Sequence, residues 1–139
     1  MEQGKTIEEI KRGEKAALTR KITEEDIGNF ARATGDYNPL HIDETYAQKT
    51  IFHGRIAHGM LVASLFSNLI ATKLPGPGTV YLSQTLHFKR PVRIGDILTA
   101  EIEVIEINTV KKRVTLSTLA RNQDETIVLE GEAVVLPRS

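Results

Sequence analysis

At 139 residues, 40% of them apolar and 26% charged, the chain reads as one domain over residues 1–139, long enough to bury a core of its own. Its 18 lysines and arginines are matched by 18 aspartates and glutamates, which argues against a nucleic-acid or membrane partner held by bulk charge. There is no cysteine, so disulfides and thiolate metal sites are excluded.

The N-terminus, Met1-Glu2-Gln3-Gly4-Lys5, lacks the apolar run of a secretory signal. Pro137-Arg138-Ser139 is not a peroxisomal address. A cytoplasmic protein is expected. Residues 1–14 are polar and carry Gly4 and Gly13, which reads as a loose lead-in. Residues 16–22 suit a short first strand. Thr23-Glu24-Glu25-Asp26 then marks a helix start, with a hydroxyl N-cap and acids in the first turn. Ile27, Phe30, Ala31 and Thr34 share one face, and Gly35 suits the position after the helix, where a positive φ is needed. Asp36 is therefore expected on a loop just past a helix end, a usual place for function.

Pro39 drives Asn38 out of the α region and locks its own φ, so the turn into His41 is stiff. Asp43 caps a second, short and polar helix over residues 44–49, followed by an irregular segment with Gly54. Residues 57–72 contain no charge and are apolar nearly all round, the pattern of a buried helix. The stretch falls short of the roughly 20 residues that span a bilayer. A helix so apolar needs cover on most sides, more than one small sheet supplies, and this points to a dimer. Lys73-Leu74-Pro75-Gly76 ends it.

Strands follow. Val80, Leu82, Leu86 and Phe88 alternate with Tyr81, Ser83, Thr85 and His87. The next run, residues 98–107, switches apolar parity near Val104-Ile105, which predicts a bulge. Two more strands cover residues 114–120 and 126–136, with a polar turn at Asn122-Gln123-Asp124-Glu125. The short polar connections predict an antiparallel meander. The fold class is α+β, a long twisted sheet with one apolar helix on its concave face.

Asp36 and His41 are the candidate acid/base pair. A carboxylate beside an imidazole holds its tautomer and raises its basicity, and together they can grip and deprotonate a water. The plainer alternative is that Asp36 caps a turn and His41 packs at a helix entry. His58-Gly59 opens the buried helix, where an unpaired N–H can donate to a carbonyl oxygen gaining charge. Alternatively, Gly59 only allows a tight turn and His58 is a satisfied core histidine. Ser67 can bond Asp36 or a substrate, or bond back to its own helix. No Gly-x-Ser-x-Gly elbow surrounds either helix serine, which argues against a nucleophile. His53 and His58 lack the spacing of a metalloprotease helix, so no metal is expected. Lys89, Arg90 and Arg93 form one basic cluster and Lys111-Lys112-Arg113 another; each can contact a nucleotide phosphate or simply face solvent.

The segments Gly35-Asp36-Tyr37-Asn38-Pro39-Leu40-His41, Ile56-Ala57-His58-Gly59-Met60-Leu61-Val62-Ala63-Ser64 and Phe88-Lys89-Arg90-Pro91-Val92-Arg93-Ile94-Gly95-Asp96 together resemble the MaoC-like dehydratase family, specifically its (R)-specific enoyl-CoA hydratases. The resemblance runs from about Lys15 to Leu136. It implies a hot-dog fold, an antiparallel sheet wrapped around one long helix, working as a homodimer. It also implies reversible hydration of short-chain trans-2-enoyl-CoA to (R)-3-hydroxyacyl-CoA without metal or other cofactor. Asp36 and His41 match the water-activating pair and the Gly59 N–H the donor to the thioester carbonyl. Ser67 matches a helix serine supporting the carboxylate, and Asn38 the asparagine of the loop signature. Three other readings stand beside it: a hot-dog acyl-thioesterase, an acyl-carrier-protein dehydratase, and a non-catalytic acyl-CoA-binding subunit. A thioesterase would not need the Asp36–His41 pair, and a binding subunit gains nothing from it.

Overall fold

Alternation of apolar and polar side chains builds the sheet. In a computed structural model that describes residues 2–139, β1 (Lys15–Lys21), β2 (Val80–Gln84), β3 (His87–Phe88), β4 (Ile97–Asn108), β5 (Arg113–Arg121) and β6 (Ile127–Leu136) pair antiparallel in the order β1-β4-β5-β6-β2, with β3 also on β6. Leu98, Ala100, Ile102 and Val104 of β4 are fully buried, as are Val114, Leu116 and Ala120 of β5, while their neighbours in sequence face outward. The predicted bulge is present: the β4–β5 register shifts between Val104 and Glu106.

Four α-helices precede the long strands: α1 (Glu24–Thr34), α2 (Pro39–Ile42), α3 (Glu44–Gln48) and α4 (Gly59–Thr72). Phe66, Leu69 and Ile70 of α4 lie in one cluster with the buried residues of β4, β5 and β6. Each such side chain stabilises the fold by roughly 1.5–3 kcal/mol through apolar area removed from water. Among the described residues, no helix is long and apolar enough to cross a membrane.

Four expectations are corrected. Residues 1–14 do not form a loose lead-in. Ile7 and Ile10 are buried, a 3-10 turn spans Ile7–Glu9, and Gly4 and Lys5 donate to the carbonyls of Pro77 and Pro75 at 3.0 and 2.8 Å. The face of α1 is buried at Ile27 and Ala31, but Thr34 is exposed. Helix α4 is buried on one side only: Met60, Ser64, Ser67 and Asn68 stay exposed.

The fourth correction concerns residues 80–88. They do not form a hairpin with β4 but lie at the far edge of the sheet, on β6, split into β2 and β3. The split has a steric cause. Gly131 of β6 sits so close to the Thr85 backbone that a Cβ there would overlap its carbonyl. The chain passes over the glycine, and Thr85 N–H donates to the Glu132 carbonyl at 2.9 Å. Val80, Leu82 and Phe88 are left 51%, 43% and 55% exposed, so their alternation marks a face this chain does not cover itself.

Gly131→Ala forces these two backbones apart. It is expected to destabilise the fold by about 1–3 kcal/mol and to lower Tm at roughly 4 °C per kcal/mol. An unchanged melting curve would mean that β2 and β3 are not held by this approach.

Candidate active site

The site begins at a well-ended helix. Thr23 and Asp26 cap α1 reciprocally, Thr23 Oγ1 accepting from Asp26 N–H and Asp26 from Thr23 N–H. Gly35 closes it at φ 78°, its N–H donating to the Ala31 carbonyl at 2.8 Å. The chain leaves as a loop in which Asp36 N–H donates to Thr34 Oγ1 at 3.1 Å and Asp36 Oδ1 accepts from Asn38 N–H at 3.3 Å. Asn38 Oδ1 in turn accepts from Leu40 N–H at 3.0 Å, with Pro39 at the first position of α2. Asn38 therefore acts here as the cap of α2, and it is not among the residues lining the cavity described below.

His41 lies in the last turn of α2 and is held at three points. Its Nδ1 is 2.8 Å from the Ile56 carbonyl, which can only accept. In the neutral ring the proton is therefore on Nδ1 and the lone pair on Nε2. Its backbone carbonyl accepts from Arg55 Nε at 2.7 Å, and Arg55 Nη1 donates to Glu24 Oε1 of α1 at 2.8 Å. Its ring lies against that of His58, centroids 4.1 Å apart. The tautomer is thus set by the Ile56 carbonyl, and among the described residues no hydrogen bond joins Asp36 to His41. Arg55 gave no sequence signal beyond being one cation in an irregular segment.

His58 is 2% exposed and packs between His41 and Phe30. Its Nε2 donates to the Asp36 carbonyl at 3.0 Å, which ties the loop to the start of α4. Its Nδ1 is buried without a partner among the described residues. One side-chain donor atom from each of Asp36, His41 and His58 falls within 4.8 Å of the others. A water that donates to two acceptors at about 2.8 Å each spans a gap of about 4.5 Å, a span that falls within this 4.8 Å limit.

Burial holds the His41 pKa below its ordinary value of 6.5. The hydrogen bond to Ile56 raises it, the charge of His58 lowers it and that of Asp36 raises it, but desolvation dominates. The expectation that Asp36 makes the ring more basic is right for that pair and outweighed by burial. At neutral pH the ring is uncharged, with Nε2 able to take a proton.

Asp36, His41 and Gly59 line one cavity of about 490 Å³, together with Phe88, Lys89 and Arg90. The N–H groups of Gly59 and Met60 open α4 and have no partner among the described residues, as expected of the first turn of a helix. A Cβ at Gly59 would lie 2.5 Å from Phe88 Cε1. Glycine lets the Phe88 ring rest on the helix start, and any larger residue there would have to displace the ring. Ser67 is not in this cavity. It lines a second groove of about 450 Å³ with Phe30, Ser64, Tyr81 and Leu82, and Met60 borders both spaces. Among the described residues no hydrogen bond joins Ser67 to Asp36.

Comparison with known proteins places the chain. Residues 5–125 match the model of the MaoC-like domain. An (R)-specific enoyl-CoA hydratase of Rhodospirillum rubrum is 48% identical over 94% of this chain and 90% of its own length. A 3-hydroxybutyryl-CoA dehydratase of Methylorubrum extorquens is 45% identical over 93% of this chain and 82% of its own. Among solved structures, the unliganded R-hydratase PhaJ1 of Pseudomonas aeruginosa superposes with a TM-score of 0.91 at 47% identity, covering 99% of this chain and 88% of that one.

The geometry of His41 is open to a direct check. Its ring protons, followed by NMR, are expected to titrate with a midpoint below 6.5, the ordinary value. As pH falls through this range the unfolded chain binds the proton first, so the group's contribution to stability is full above 6.5 and is lost below it. A midpoint above 6.5 would mean that the Asp36 charge, not burial, governs the ring.

Proposed function

The chain belongs to the MaoC-like domain family, and on that premise we propose that it is a hydro-lyase, an (R)-specific enoyl-CoA hydratase acting on short-chain trans-2-enoyl-CoA in the cytoplasm. The observation that carries this reading is the meeting of two unlike features in one cavity: an acid/base pair with room for a water, and the free N–H end of an apolar helix.

The thioester carbonyl accepts from the Gly59 N–H, which stabilises the negative charge that grows on oxygen as the double bond is attacked. Asp36 and His41 Nε2 hold the water. Its hydroxyl adds to the β-carbon, and a proton passes through the pair to the α-carbon, so the site ends in the protonation state in which it began. The reverse path is dehydration. Because the two groups share one water, the proton's route belongs to the pair rather than to either residue. His58 positions the pair by holding the Asp36 carbonyl. Asn38 supports it by fixing the start of α2. Each of these steps is completed by this chain's own groups, and the reading takes coenzyme A only as part of the substrate.

The same reading includes a homodimer. Strand β2 is an edge of the sheet, and Met60, Val80 and Leu82 are 56%, 51% and 43% exposed beside it. An exposed apolar edge strand is a liability unless something pairs with it. A second copy meeting this face would cover α4 on its open side and close the groove that Ser67 lines. In that assembly Ser67 supports the site from the groove side.

With crotonyl-CoA, the purified protein is expected to bleach the absorbance of the conjugated thioester without releasing free thiol. Asp36→Asn and His41→Ala should each lower kcat by about 100- to 10,000-fold, the scale of acid/base catalysis, in proteins that remain folded. Near-wild-type rates would remove these residues from the chemistry, and thiol release would identify a thioesterase. Light scattering should give twice the chain mass for the wild type and a lower mass for Leu82→Glu. A monomeric wild type would refute the dimer.

A further inference from the structure

We propose that Lys89 and Arg90 form the subsite for the phosphates of coenzyme A at the rim of the cavity, and that Arg93, their neighbour in sequence, takes no part. This rests on the enoyl-CoA reading above and names what binds the far end of that substrate.

The three cations of one motif have different fates. Arg93 is turned inward, Nη1 and Nη2 donating to the carbonyls of Gly54 and Phe52 at 3.3 and 2.5 Å. Its guanidinium clasps the segment after α3 onto the strand end, where Ala57 N–H also meets the Val92 carbonyl at 2.7 Å. Lys89 and Arg90 are exposed and yet line the cavity. Their backbone is fixed, because both N–H groups donate to the Val128 carbonyl, at 2.8 and 3.3 Å. Lys89 is 3.3 Å from Glu130. Arg90 meets only the Lys89 carbonyl, at 3.2 Å, and no carboxylate within 4.0 Å among the described residues. A guanidinium carried on a fixed backbone, with most of its donors free, suits bidentate contact with phosphate.

Position points the same way. A cavity of about 490 Å³ holds a drug-sized group, so a thioester seated at Asp36 and Gly59 leaves its nucleotide outside, across the rim. Phe88, whose ring lies on Gly59, is followed directly by Lys89 and Arg90. Two residues extend at most about 7 Å, so both cations lie close to the Gly59 end of the cavity, which they line while staying exposed to solvent. The other basic cluster, Lys111-Lys112-Arg113, lies at the β4–β5 turn and does not line the cavity.

The test compares crotonyl-CoA, crotonyl-pantetheine and crotonyl-acyl-carrier protein as substrates for the wild type, Arg90→Ala, Lys89→Ala and, as control, Lys111→Ala. Arg90→Ala is expected to raise KM for crotonyl-CoA about tenfold, the scale of one charge-assisted contact, with Lys89→Ala smaller because of Glu130. Neither change should appear with crotonyl-pantetheine. The wild-type KM for crotonyl-CoA should rise with salt, as exposed charges are screened, and this dependence should weaken in Arg90→Ala. Equal effects on the CoA and pantetheine thioesters would overturn the subsite, as would no effect on either. An effect confined to the carrier-protein substrate would also overturn it and assign the two residues to a protein partner. Calorimetric binding of free CoA to the same variants reads the subsite without turnover. An inactive wild type that binds CoA through Arg90 would sink the hydratase reading and leave the subsite standing.

Discussion

One hydrogen bond, from buried His58 Nε2 to the Asp36 carbonyl, joins the two halves of the site. Asp36 and His41 come from a loop and a single helical turn that pack little of their own apolar surface. The donor end of α4 comes from the core. Without a fixed link the loop would be free to drift relative to the helix. His58 supplies the link from the N-cap position of α4 itself, so whatever places Gly59 also places Asp36. A displacement of about 1 Å costs on the order of a hundredfold in rate when reacting groups must be aligned, which is why the tie matters more than its modest net energy suggests.

Around that tie, a carbonyl and burial rather than a charged partner set the form of His41. The Ile56 carbonyl decides which nitrogen of His41 carries the proton, and burial keeps the ring neutral near pH 7. Arg55 and Arg93 are cations used as backbone clamps, one on His41 and the other on Phe52 and Gly54. Arg90, three residues before Arg93, is the one most of whose donors stay open. A stretch that reads as uniformly basic thus divides into structural and available charge.

What could be read from the sequence was what local chemistry dictates. The caps of α1, the stiff turn at Pro39, the end of α4 and the bulge after Val104 each follow from residues within a turn or two of one another. The resemblance carried by the loop and helix motifs pointed to the family and to Asp36, His41 and Gly59. What escaped depends on distant partners. The burial of Ile7 and Ile10, the pairing of residues 80–88 with β6, and the close approaches at Gly131 and Gly59 are set by residues far away in the chain. That Ser67 lines a groove of its own, outside the cavity of Asp36 and His41, escaped for a related reason. Its helix looked apolar all round, yet one side of α4 is open, and the serine lies on that side with Ser64 and Met60. The Ile56 carbonyl was invisible because a backbone acceptor leaves no mark in side-chain identity.

The most direct test of the account is the stereochemistry of addition. Crotonyl-CoA hydrated in D₂O and analysed by chiral chromatography and mass spectrometry should give (R)-3-hydroxybutyryl-CoA with one deuterium at C2, the proton having come from the water held by Asp36 and His41. An (S) product, or free CoA with no hydroxyacyl thioester, would contradict it.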